Sequence, residues 1–438
     1  MATAAKESYM HKLITVEKAA DLIESDCDIM VAQAASEPQA CMAHFHRVQE
    51  RGVTGVKVFG VLTLNAYKFF LDPSMKGHIK LASWFHSTHA REAIAKGFGT
   101  VTFVPNMLHR AATDRLSVRA PRLFYGTCTA PDAHGFVSLS LGITYEKDAI
   151  EAADIVVLEI NEKLPRTYGD VQLHVDEVDY FVEANYLPPT LPRVEPSEMD
   201  LAIGRNIAEL VPDGATIQLG IGGIPNAAAM ALKGKKNLGV HTEMFVDSMM
   251  ELYKMGVITN KQKGLVKGKS VATFAMGSHE LYDWLHDNVS VEFQRGKWTN
   301  DPAVIRQNTK MHSINTCLMV DFTGQVASES IASKQYSGTG GQADTAIGAV
   351  EGLDGEGKSI IACQSTARNG TISTITPTLP EGTAVTLHRS NVDHVVTEYG
   401  IARLRGRTVE ERVQALIKVA HPNFRETLHA KAVELGYL

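Results

Sequence analysis

Residues 210–231 read LVPDGATIQLGIGGIPNAAAMA. Asp213 and Gly214 mark a turn, ATIQL a strand, GIGGI a loop of small residues, and Pro225 the start of an Ala-rich helix. The same succession occurs earlier, in LIESDCDIMVAQAASEPQACMA at 22–43, where Asp26 and Pro38 stand as far apart as Asp213 and Pro225. A strand, loop and helix that recur in this way predict repeated βα units and parallel strands.

Two further pairs follow in the same order. Asp132-x-x-Gly135-x-Val137 answers Asp321-x-x-Gly324-x-Val326, and ADIVVLEIN at 153–161 answers VDHVVTEYG at 392–400. The third pair is spaced more widely, which implies extra residues late in the second half. Between the halves lies NYLPPTLPRVEPSEMD, whose four prolines predict an extended, semi-rigid linker. The expected fold class is α/β: two related open α/β domains from an internal duplication, over 1–187 and 198–438, with a site in the cleft between them.

The chain of 438 residues is long enough for a large core and two or three domains. Its net charge of −6 gives no electrostatic case for nucleic acid. MATAAKESYMHKL lacks an apolar signal core, and no stretch is long enough to span a membrane. Five scattered cysteines, without CxxC, fit a reducing cytoplasm. A homo-oligomer is the default expectation.

Within LGVHTEMFVDSMM (238–250), one carboxylate, Glu243, stands among apolar residues where a strand is expected to give way to a helix. The ordinary role there is to complement a helix N-terminus. Aligning GVKVF with GVHTE puts Phe59 opposite Glu243, so the acid is specific to the second copy, as are the glycines. Gly220, Gly222 and Gly223 let backbone N–H groups approach an anion, and Pro225 rules out a Rossmann fingerprint. SGTGGQADTAIGA (337–349) is a second such loop, with Gly340 and Gly341 before Asp344. Taken singly, each loop is more often a tight turn or a packing feature. His86 and His89 in WFHSTHAR have no companion ligand set, so no metal is expected. MGSHELYDWL reads as a Ser-capped helix, and no serine-hydrolase elbow occurs. A carboxylate beside oxyanion-type loops points to nucleophilic catalysis by glutamate on an activated acyl group such as a thioester.

LGIGGIPNA, LGVHTEM, VDFTGQVASES, SGTGGQAD, GTIS and VVTEYGIARLRG, in that order, resemble the acetyl-CoA hydrolase/transferase family, and in particular its 4-hydroxybutyrate and butyryl-CoA:acetate CoA-transferases. The resemblance implies Glu243 as nucleophile. It also implies Gly220, Ile221, Gly222, Gly223 and Ile224 as the CoA-contacting turn, Gly341 beside Gly340 as the oxyanion-type glycine, and Asn300 of WTNDPAVI as an active-site amide. Coenzyme A or acyl-CoA and a carboxylate would be the substrates, with no metal, ATP, nucleic acid or membrane partner. One departure bears on the acid: where many relatives read GGQ-x-D-F-x-R-G-A, this chain has Thr345 and Ile347 in place of the aromatic and the arginine. That predicts an altered substrate pocket, open to a branched or dicarboxylic acid such as itaconate. An acyl-CoA hydrolase and a non-catalytic acyl-CoA sensor are the rival expectations.

Overall fold

The computed structural model describes residues 9–438. Most of the N-terminal stretch read above for a signal core lies outside them. The chain divides into two compact units. The first runs up to Leu191 and takes in Ala272–Trp298, and the second comprises Pro192–Val271 and Thr299–Leu438.

The first unit is built on seven strands: β1 (Asp28–Val31), β2 (Val56–Gly60), β3 (Ile79–Ser83), β4 (Val101–Phe103), β5 (Leu123–Cys128), β6 (Ile155–Asn161) and β7 (Tyr180–Ala184). They lie in the order β7-β6-β5-β1-β2-β3-β4, and every neighbouring pair is parallel. Parallel strands are covered on both faces, and DIMV of β1 and LFYGTC of β5 are accordingly buried throughout. The core gathers Ile29, Val58, Leu81, Leu123 and Tyr125 with Phe45, Phe69 and Phe70.

The second unit has six strands: β8 (Thr216–Leu219), β9 (Gly239–Val240), β10 (Met311–Thr316), β11 (Lys358–Ala362), β12 (His394–Thr397) and β13 (Gly400–Arg403). Their order is β9-β8-β10-β11-β12-β13, parallel except for the last pair. Val320, Phe322, Ile361, Val395, Val413 and Leu416 fill its core.

The order β2-β1-β5-β6 in one sheet matches β9-β8-β10-β11 in the other. The first two marker pairs sit at matching places in this scheme, but the third does not. ADIVVLEIN holds β6, next to β5, whereas VDHVVTEYG holds β12, two places from β10. The strand in the place of β6 is β11. An apolar run ending in a polar residue suits any buried parallel strand, so Asp-x-Val-Val-x-Glu carried no positional information.

The return of Ala272–Trp298 to the first unit also departs from the two continuous domains expected. Charge and backbone explain it. Arg295 bonds Asp148 at 2.8 Å, Glu151 at 2.6 Å and Asp170 at 2.6 Å. Val291–Phe293 pairs in parallel with Tyr168–Gly169, so tightly that a Cβ on Gly169 would overlap the Phe293 backbone. The proline segment is tied down here as well: Tyr282 Oη donates to the Pro189 carbonyl at 2.7 Å. The helix at His279–Leu285 is capped by Ser278, as its sequence predicts. Among the described residues, no helix is long and apolar enough to cross a membrane.

Candidate functional site

β8 runs into the loop at Gly220, and α1 (Gly223–Ala231) begins two residues after Ile221. Gly222 caps this helix at φ +113°, a conformation that a side chain rarely adopts. Pro225 falls in the first turn, where its missing N–H costs nothing. The chain returns through β9 and passes through His241 and Thr242 to Glu243.

Glu243 does not cap a helix. It occupies a bend before a two-residue strand, Met244–Phe245, and the next helix starts only at Asp247. The helix-dipole role therefore does not apply. The ladders also correct the expected counterpart: Ile29 pairs with Val58 and Thr216 with Gly239. With Asp26 matched to Asp213, Phe59 takes the place of Val240, and Leu62 that of Glu243. The first copy remains apolar at that position.

Three of the expected residues meet directly. Asn300 Nδ2 donates to Glu243 Oε2 at 3.0 Å, and the Gly341 backbone lies against the same oxygen. A Cβ on Gly341 would overlap both Glu243 Oε2 and Asn300 Nδ2. Glycine is thus required by contact, whereas neighbouring Gly340 is favoured by its φ of +55°. Burial, reinforced by the nearby Asp344 carboxylate, pushes Glu243 up to about 7, and the bonds from Asn300 and Gly341 pull it the other way. Glu243 is half-buried, while Asn300 and Asp344 are fully buried.

Residues outside the sequence-derived set hold this arrangement. His241 Nε2 donates to the Thr299 carbonyl at 2.7 Å, tying the Glu243 strand to the segment that presents Asn300. Burial and neighbouring Lys263 push this imidazole down to about 3, so it is a neutral strut. No local signal marked His241, because its partner Thr299 lies 58 positions along the chain. Behind Gly341 runs α2 (Gln342–Val350). Gln342 Nε2 donates to the Thr316 carbonyl at 2.7 Å. Thr345 Oγ1 lies 3.0 Å from the Gly341 carbonyl and accepts from Ser313 Oγ at 2.9 Å and Asn315 Nδ2 at 3.2 Å; Asn315 Nδ2 also reaches Gln218 at 3.2 Å. The end of β8, the end of β10 and the glycine loop are therefore one hydrogen-bonded unit.

The turn forms part of a separate wall. Ile221, Gly222, Gly223, Ile224 and Pro225 line an open cavity of about 420 Å³. Thr316, Cys317, Cys363, Gln364 and Thr374 are among the residues across from them. Gly220, Thr345 and Ile347 are absent from its lining. Thr345 is buried in the network just described, and Ile347 is half-buried on α2. The room expected from the lost aromatic is taken up by that network. His86 is buried against Phe103, and His89 faces Glu92.

A parallel α/β body that presses a desolvated glutamate against a glycine backbone and an amide has the equipment of an enzyme of activated acyl groups. Comparison makes the class specific. Residues 2–191 match the acetyl-CoA hydrolase/transferase N-terminal domain, and residues 277–432 match the C-terminal domain of the same name. The chain is 41% identical over 428 residues, 97% of each chain, to 4-hydroxybutyrate coenzyme A transferase of Clostridium kluyveri. It is 44% identical over 354 residues, 80% of this chain and 79% of the other, to succinyl-CoA:cyclohexane-1-carboxylate CoA transferase of Geobacter metallireducens. The crystal structure of RipA from Yersinia pestis superposes with a TM-score of 0.94 at 33% identity, covering 99% of this chain and 100% of that one. The chain belongs to the acetyl-CoA hydrolase/transferase family.

Proposed function

We propose that this enzyme is a CoA-transferase that moves CoA from acetyl-CoA or succinyl-CoA to a short-chain carboxylate such as 4-hydroxybutyrate or butyrate. The observation that carries the reading is the Glu243 carboxyl, held between Asn300 Nδ2 and the Gly341 backbone with no room for a Cβ. A carboxylate raised to about 7 is ionised in good part at neutral pH and is more basic than an ordinary glutamate.

The reaction is a ping-pong exchange. Glu243 attacks the donor thioester carbonyl, the C–S bond breaks, and a mixed anhydride and CoA thiolate result. The thiolate attacks the glutamyl carbonyl of the anhydride, releases the donor acid as its carboxylate, and leaves a glutamyl-CoA thioester. The acceptor carboxylate reverses these steps, regenerating Glu243 and forming the new acyl-CoA. Thioester energy is conserved, so no ATP enters. Asn300 Nδ2 and the Gly341 backbone, both against Glu243 Oε2, are suited to receive the oxyanions of the tetrahedral intermediates. The cavity along Ile221–Pro225 suits the pantetheine arm of CoA, whose binding keeps thiolate and anhydride together. The CoA-transferases among the relatives support this reading over hydrolysis.

The test is to incubate the enzyme with acyl-CoA alone, reduce with borohydride, and map the modified peptide. Modification at Glu243, with CoA passed to an added carboxylate, is the expected result. Modification elsewhere, or acid release unaffected by the acceptor, overturns it.

A further inference from the structure

The parallel ladder between β10 and β11 runs from His312 opposite Lys358 to Thr316 opposite Ala362. The next residue on each strand is a cysteine, Cys317 and Cys363, and the Cys317 N–H still bonds the Ala362 carbonyl at 3.2 Å. Neighbouring strands lie about 4.8 Å apart, inside the roughly 4.4–6.8 Å between Cα atoms that a disulfide spans. Residues opposed in a parallel ladder point to the same face, so the two thiols lie side by side on one face of the sheet. Both line the open cavity along the glycine turn. Thr374 Oγ1, on the same wall, is 3.7 Å from Cys363 Sγ.

A single buried cysteine at a strand end is packing material. Two on one rung, at the wall of an open cavity, can do chemistry together. We propose that Cys317 and Cys363 are a redox-active dithiol that closes to an intramolecular disulfide by exchange with a small disulfide entering this cavity, the disulfide of CoA. The naming of CoA rests on the function proposed above; the dithiol does not. One cysteine thiolate attacks a sulfur of the small disulfide, breaks its S–S bond and releases one small thiol. The second cysteine attacks the resulting mixed disulfide, forms the Cys317–Cys363 bond and releases the other small thiol. Two electrons and two protons pass from the protein to the two released thiols. Thr316, next to Cys317, carries the carbonyl that anchors Gln342 and with it the Gly341 loop. Oxidation therefore strains the support of Glu243 and slows transfer until the bond is reduced.

The experiment treats the reduced full-length enzyme with CoA disulfide in one arm and glutathione disulfide in another. Thiols are counted after denaturation, non-reduced digests are mapped by mass spectrometry, and transfer is assayed before and after dithiothreitol. The expected result in both arms is the loss of two thiols per chain into a peptide linking Cys317 and Cys363, with transfer lost in parallel and restored on reduction. Cys317→Ser and Cys363→Ser each stop at a mixed disulfide on the remaining cysteine. A stable mixed disulfide in the unsubstituted enzyme, or no Cys317–Cys363 link in either arm, overturns the dithiol. A link formed by glutathione disulfide alone supports the dithiol and overturns CoA as the occupant of the cavity. A link that leaves transfer unchanged overturns its coupling to Glu243.

Discussion

Glu37 and Glu146 in the first unit and Glu243 in the second are pushed up to the same value, about 7, by the same cause, burial. Their surroundings differ. Glu37 accepts from the Leu64 and Asn65 N–H groups at 2.9 and 3.2 Å and from the Asn65 side-chain amide. Glu146 accepts from the Tyr145 and Gln33 N–H groups at 2.8 and 3.3 Å. Both are fully buried, and each braces a loop. Glu243 is half-buried, has one side-chain donor, and lies against a glycine where a Cβ would overlap its oxygen. A raised pKa reports desolvation in all three. Access, and a glycine whose backbone lies against the carboxyl, separate the reactive carboxylate from the structural ones.

Glu243→Ala breaks this contrast most severely. Removing a covalent nucleophile is expected to lower kcat by about ten-thousand-fold or more, measured as acyl-CoA formed from a carboxylate acceptor. Glu146→Gln is expected to do the opposite: an amide turned toward backbone N–H donors costs about 1–3 kcal/mol of stability, with turnover per folded molecule within a few-fold of the parent. If the two variants exchange these phenotypes, the contrast has been drawn the wrong way round.

Gly341→Ala comes next. The added methyl meets Glu243 and Asn300, so kcat is expected to fall by about 10²–10³ while CoA binding changes little. Gly220→Ala is the internal comparison: its Cβ would meet only Pro225 Cγ at 3.9 Å, and near-parent activity is expected. Asn300→Ala removes one hydrogen bond to a charged group, about 1.5–3 kcal/mol, and should cost roughly ten- to a hundredfold in kcat/KM. It also raises the pKa of Glu243, because the lost bond favoured the ionised form. Attack requires the carboxylate, so kcat/KM should climb with pH to a plateau above about 7 in the parent enzyme. Asp344→Asn should move that midpoint down, since the Asp344 charge helps to hold it up. A midpoint in the ordinary glutamate range in the parent enzyme contradicts the desolvated nucleophile.

The parts of this site legible in the sequence are those with a local cause. Strand–glycine–helix at 216–231 follows from composition and spacing, and so does the Ser278 cap. Glu243 and Gly341 stood out because an acid among apolar residues, or a glycine pair before a helix, needs a reason. What was not legible depends on partners far away in the chain. Arg295 finds its acids some 125 to 147 positions earlier, and nothing near it announces that Ala272–Trp298 belongs to the first unit. MFVDSMM has helical spacing, yet its first residues are drawn into a short strand. The place of Thr345 is decided by Ser313 and Asn315 on another strand, which a motif departure cannot foretell.

The smallest expected effect tests the comparison from the side of stability. A carboxyl whose folded pKa lies above its unfolded value binds its proton more tightly when folded. Its contribution is fully present below the unfolded value, near 4.5, and is lost as pH rises through the folded value, about 7. Glu37 and Glu146 share this sign, so the parent protein should lose stability between these pH values. Glu243→Gln removes one titrating group from that slope. The glutamine carbonyl can still accept from Asn300 Nδ2, and the amide never carries a charge that must be desolvated. Because Glu243 is half-buried, the gain is discounted for solvent to about 1 kcal/mol. Tm at pH 8 should therefore rise by a few degrees at most in Glu243→Gln, with no rise at pH 5, while transfer is abolished. A stability gain bought with the loss of function marks a residue held in place for chemistry. A variant that is less stable than its parent at pH 8 would place Glu243 with Glu37 and Glu146, as a brace.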